Sequence, residues 1–154
     1  MLKHTKLLAI TPKHKRLVTD LLELTKFKLS ALNAVGSMTM FYFHAPLASV
    51  GLLETTMFLF ATQTVAMSTQ CFGQIAESDK DALMARTRNR PMVQERFTSK
   101  QACFIGTGLS MASMASYHMF EPFTWVVSNT VWASYLLVYL PMKQKSEQNT
   151  LVGA

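Results

Sequence analysis

Four stretches of this chain contain no aspartate, glutamate, lysine or arginine: Leu29–Leu53, Thr55–Ala76, Gln101–Phe120 and Pro122–Met142. They hold 25, 22, 20 and 21 residues, and about 20 residues of helix cross the hydrocarbon core of a bilayer. In lipid every backbone N–H and C=O must find a partner within the protein, so only helices or closed barrels span it. These long uninterrupted runs lack the two-residue alternation of a barrel strand. The expected fold is all-α: an integral membrane bundle of four transmembrane helices, with spans at about 29–44, 53–77, 101–118 and 122–140. Residues 1–28 form a basic N-terminal arm, and no linker or internal repeat divides the membrane domain 29–154.

The basic residues set an orientation for that bundle. Of the fifteen lysines and arginines, seven precede Leu29, six lie between Glu77 and Lys100, and two follow Pro141. Four helices put these three regions on one side, which the positive-inside rule makes the matrix or cytoplasmic side. The net charge of +6 then reflects topology and an anion site; no aromatic-interleaved basic patch points to nucleic acid. The arm has no acid before Asp20. It suits a mitochondrial transit segment, and equally a juxtamembrane arm on anionic lipid. The expected location is the mitochondrial inner membrane, with a bacterial plasma membrane as the alternative. Cys71 and Cys103 lack metal-ligand spacing and read as inert thiols.

Between the second and third windows, Gly73–Met92 concentrates three of the nine carboxylates and four of the fifteen basic residues. Glu77 and Asp81 are spaced i,i+4 and share a helix face; Asp79 points elsewhere. A divalent cation would relieve their repulsion, and Mg²⁺ needs only one or two carboxylates when phosphates supply other ligands. Arg86, Arg88 and Arg90 offer forked donors suited to phosphate oxygens. Spacing alone is as consistent with capping acids and arginines on a solvated loop. Thr87, Asn89 and Pro91 are expected to turn the chain.

In the third window Gly106, Gly108, Ser110, Ala112, Ser113, Ala115 and Ser116 suit close helix packing. In the fourth, Trp125 and Tyr139 suit the interfacial aromatic belts, and Pro141 is expected to end the helix. His44, Pro46 and Glu54 read as turn or interface residues on the opposite side, as does His118.

Three segments in order carry a resemblance: Leu24-Thr25-Lys26-Phe27-Lys28-Leu29; Gln74-x2-Glu77-x3-Asp81-x2-Met84-x-Arg86-Thr87-Arg88-Asn89-Arg90-Pro91; and Tyr139-x-Pro141-x-Lys143 with Asn149-Thr150-x2-Gly153-Ala154. The chain resembles the haem O synthases, or protohaem IX farnesyltransferases, among the UbiA-type intramembrane prenyltransferases. The resemblance implies farnesyl transfer from farnesyl diphosphate to protohaem IX, on the route to haem A. It implies Glu77 and Asp81 as catalytic, Mg²⁺-holding residues, and Lys28, Arg86, Arg88 and Arg90 as diphosphate partners.

Two departures stand out. The family's first motif usually begins with asparagine where this chain has Gly73, beside Gln74. Family members also carry a second acid-rich loop in later helices, whereas Glu95, Glu121 and Glu147 stand alone here. The expectations that follow are a partial or split enzyme completed by a second chain, a non-catalytic membrane subunit or assembly protein of the respiratory chain, or a fragment without its own function.

Overall fold

The computed structural model describes residues 13–44, 51–120 and 122–145, and among them every regular element is helical. The elements are α1 (Lys13–Leu24), α2 (Phe27–His44), α3 (Leu52–Leu83), α4 (Ser99–Tyr117), α5 (Pro122–Ser134), a π-helical segment (Tyr135–Tyr139) and α6 (Leu140–Lys145). The expected turn at Pro46, the acids Glu121 and Glu147, the residues before Lys13 and the tail bearing Asn149, Thr150, Gly153 and Ala154 lie outside the described residues.

Part of the basic arm is thus an amphipathic helix, α1. It stops where Lys26 takes a left-handed backbone conformation, φ 44°, common at helix C-termini because it turns the chain out of the helix. Its last carbonyls are satisfied from afar. Gln74 on α3 donates through Nε2 to the Glu23 and Leu24 carbonyls at 2.7 and 2.9 Å, and the Lys26 N–H adds a bond to Glu23 O. Leu24 is fully buried beneath this junction.

With 32 residues, α3 rises about 48 Å, more than a bilayer core requires. Its final turns therefore project beyond the apolar part and carry Glu77, Asp79 and Asp81. Against it pack α2, through stacked Phe41 and Phe58 rings 4.4 Å apart, and α4, through small residues. The Gly106 backbone lies so close to Phe72 and Cys71 that a Cβ there would meet them at 3.1–3.3 Å. Ser68 and Ser110 share a hydrogen bond of 2.6 Å, and Ser113 Oγ donates to the Ala61 carbonyl at 3.0 Å. Small residues thus serve close approach, as their spacing predicts.

The hydroxyls of Thr62 and Thr64 bond the preceding turn of α3. Such threonines and serines lower the apolarity of α3 and α4. Among the described residues, one helical stretch, Pro122–Lys143, is long and apolar enough by itself to cross a membrane.

That last helix differs from expectation at Pro141, which does not end it. Proline has no N–H to give and clashes with the preceding turn. Here the turn before it widens: Leu140 N–H reaches back to Tyr135 O, an i→i−5 bond that relieves the ladder at the proline. The helix then continues to Lys145. Met84–Phe97 folds over the ends of α3 and α4, burying Met92 against Leu24, Cys71 and Ala102. Thr98 and Gln101 form a reciprocal cap that starts α4.

Candidate functional site

A cavity of about 550 Å³ opens where the end of α3 faces the last helix. Gln70, Gly73 and Glu77 line it from α3, at i, i+3 and i+7. Val131, Ser134, Tyr135, Val138, Tyr139 and Lys143 line it from the last helix, and Lys26 and Leu29 close it from the start of α2. Its mouth holds two ammonium groups and one carboxylate; its wall is apolar and aromatic. Tyr135 and Tyr139 stack with centroids 5.1 Å apart, and Lys143 Nζ lies 5.7 Å from the Tyr139 ring centre. Tyr139, expected at the interfacial belt, thus faces the cavity.

The carboxylates of the central motif are both occupied by cations. Glu77 pairs with Lys143, and Asp81 pairs with Arg90. Asp81 is also the anchor of its own loop: its carbonyl accepts from Thr87 Oγ1 at 2.9 Å and from the Met84 N–H. Arg96 pairs with Asp20 on α1 and donates to the Asn89 carbonyl at 2.6 Å, tying the loop to α1. A Mg²⁺ ion held by Glu77 and Asp81 would share these carboxylates with Lys143 and Arg90. Each carboxylate is neutralised by its own cation, and no group of three metal-ligating side chains occurs among the described residues.

The expected diphosphate partners separate. Arg90 belongs to the Asp81 pair, close enough to Lys26 to act on its charge. Arg86, Arg88 and Lys28 are exposed, as is Asp79, and none of the four lines the cavity. Gln74 is a structural clamp on α1; Gly73, its neighbour, lines the cavity. The cations of the cavity are Lys26 and Lys143. Burial and the positive charge of Arg90 lower the pKa of Lys26 below its ordinary 10.5, opposed by Glu77. Tyr135 is a cavity residue outside the quoted motifs, while Tyr139 and Lys143 belong to the third of them but carried no expected site role; their numbers run i, i+4, i+8 and so mark one helix face.

Fold and cavity together define an all-helical bundle of the membrane type with a lysine-rimmed mouth. The chain belongs to the UbiA prenyltransferase family, whose model matches residues 34–154, and is an integral membrane protein. It is similar to the protoheme IX farnesyltransferase of Christiangramia forsetii, 24% identical over 138 residues that cover 90% of this chain and 45% of the relative. It is 30% identical to the mitochondrial protoheme IX farnesyltransferase of Neurospora crassa over 155 residues, 91% of this chain and 30% of the relative. The corresponding protein of Solibacter usitatus is 28% identical, over 88% of this chain and 49% of that one. The chain therefore spans half or less of the length of these relatives. No solved structure matches it.

Proposed function

We propose that this chain supplies a diphosphate-binding part of a protohaem IX farnesyltransferase, transferring farnesyl from farnesyl diphosphate to protohaem IX to make haem O. It does so as a partial or split enzyme, completed by a second chain. The observation that carries this reading is the cavity that joins Lys26 and Lys143 to a wall of Leu29, Val131, Val138 and two tyrosines. An allylic diphosphate has the same division, with two phosphates at one end and an apolar chain at the other.

When its C–O bond breaks, the electron pair leaves with the diphosphate. Ammonium groups already in place stabilise that growing charge without reorganisation. The apolar wall keeps water from the allylic cation until the vinyl carbon of protohaem supplies the electrons of the new C–C bond. The positive charge passes to the other carbon of that vinyl group, where water adds and loses a proton to leave the hydroxyl of haem O. The membrane topology belongs to the same reading: four spans, with the Lys/Arg-rich side and the cavity mouth toward the matrix, or toward the cytoplasm in a bacterium.

Deleting the chain from its cells and profiling their haems tests this. Haem O and haem A should vanish on deletion and return with the wild type. A Lys26→Met, Lys143→Met double variant should restore at most about a tenth of the wild-type level, the scale of losing electrostatic stabilisation at a leaving group. Full restoration by that variant would sink the reading.

One observation favours a second reading, a non-catalytic subunit or assembly protein of the respiratory chain. Both acids of the central motif are consumed in ion pairs. It expects the double variant to support oxidase assembly unchanged.

A further inference from the structure

Gly73 is a buried residue whose missing side chain leaves one face of α3 bare inside the cavity. Beyond its own stretch of helix, the atom of the described residues within 4 Å of a Cβ built there is the Tyr135 hydroxyl oxygen, at 3.6 Å. Tyr135 comes from the opposite wall. Its ring is fixed by the stack on Tyr139, and it heads the π-helical turn that widens the last helix. The hydroxyl therefore sits at the level of Gly73, one turn before Glu77, at ordinary contact distance from where a side chain at position 73 would begin. Lys143 and Glu77 line the same cavity.

We propose that the Tyr135 hydroxyl, crossing the cavity to Gly73, supplies a polar contact to the anionic head of the ligand from the level at which the family's first motif usually has an asparagine. This rests on the diphosphate-binding reading above and assigns it a residue. A phenol O–H donates to a phosphate oxygen as an asparagine amide does, and its rigid ring loses little freedom when it does so. Tyr135 and Gly73 then face one ligand group from opposite walls, so a polar side chain at either place could reach it. Tyr135→Phe would leave the head of the ligand without this donor.

The test uses the full chain purified from membranes, with any partner that stays with it, in lipid nanodiscs. Two probes are titrated by calorimetry: inorganic diphosphate, and a farnesyl thiodiphosphate that resists ionisation. Tyr135→Phe keeps the stacked ring and removes only the hydroxyl. It should weaken both probes by about tenfold or more, the scale of a hydrogen bond to a charged group. Adding Gly73→Asn to Tyr135→Phe should recover most of that affinity, which a packing role for the tyrosine would not. Thermal unfolding of each variant confirms that it is folded.

Wild-type affinity in Tyr135→Phe overturns the proposal while the diphosphate reading stands. So does a loss confined to the farnesyl probe, which would place the hydroxyl's contact away from the diphosphate head, and so does a loss that Gly73→Asn fails to repair. A wild type that binds neither probe removes the diphosphate reading itself, and this contact with it.

Discussion

Lys26 is held at a double cost, and both parts have consequences that can be measured. Its left-handed backbone conformation crowds Cβ against the next carbonyl, about 1–2 kcal/mol for a residue with a side chain. Burial beside Arg90 then disfavours its charge. Glycine relieves both, so Lys26→Gly should raise stability by about 1 kcal/mol in thermal or denaturant unfolding while weakening inorganic diphosphate binding. A residue that is costly to fold and needed for binding is what a functional site leads one to expect.

The pH dependence follows from the same shift. The folded chain holds the Lys26 proton less tightly than the unfolded chain, where lysine titrates near 10.5. The stability cost is thus complete below the folded-state value and fades as pH rises from there toward 10.5. Anion affinity runs the other way: it should fall as pH climbs through that lowered value, and Lys26→Gln should flatten the fall. A wild-type affinity that holds steady up to pH 10.5 would count against Lys26 as an anion partner. LTKFKLS offers two lysines of equal standing, Lys26 and Lys28, and motif reading favours Lys28. What separates them is the left-handed turn at Lys26, which swings one lysine into the cavity and leaves the other in the open. No composition or spacing reports that turn, because it depends on Gln74 reaching across from α3.

At the scale of elements, the charge-free windows made the helices legible, since an apolar run has few other ways to satisfy its backbone. The ends of the helices were less so. Residues 13–24 form a helix of only three turns, whose pattern is hidden by the density of lysines around it. The π-helical turn ahead of Pro141 depends on ladder geometry rather than residue type. Two glycines also look alike in sequence and differ in the fold. At Gly106 an added methyl would meet Phe72 and Cys71 at 3.1–3.3 Å across the α3–α4 seam. At Gly73 it would meet an ordinary contact at 3.6 Å. Gly106→Ala should therefore lower stability by about 1–2 kcal/mol, as overpacking does. Gly73→Ala should raise it by about 0.5–1 kcal/mol, since alanine is the better helix former. Parallel thermal unfolding of the two variants decides the matter, and equal shifts would mean the seam is looser than the Gly106 contacts imply.

Across the whole molecule the cavity exists because three separated parts of the chain converge: the turn before α2, the projecting end of α3, and the last helix. The acid–arginine motif was readable as a cluster, but its division into Asp81–Arg90, which staples a loop, and Glu77–Lys143, which spans the cavity mouth, is tertiary. The last helix has no buried residue in α5 or the π-helical turn. Its attachments to α3 include the Glu77–Lys143 pair, a bond of 3.2 Å from Lys80 to the Lys143 carbonyl, and the Trp132 indole donating to Ser68 at 3.4 Å. An anion entering the mouth must therefore compete with Glu77 for Lys143. Glu77→Gln removes the competitor without changing the shape of the side chain. Because the Lys143 side chain is 37% exposed, the pair is worth at most about 1 kcal/mol. Affinity for inorganic diphosphate should then rise about two- to fivefold, measured with a chelator present to strip divalent cations. The same variant should speed amide hydrogen exchange over residues 135–145, where the last helix has lost one of its ties. A Glu77 that instead serves as a metal ligand predicts the opposite: the variant would bind diphosphate more weakly, and only when Mg²⁺ is supplied. The sign of the change, read with and without the metal, tells a carboxylate that guards the lysine from one that recruits a cation.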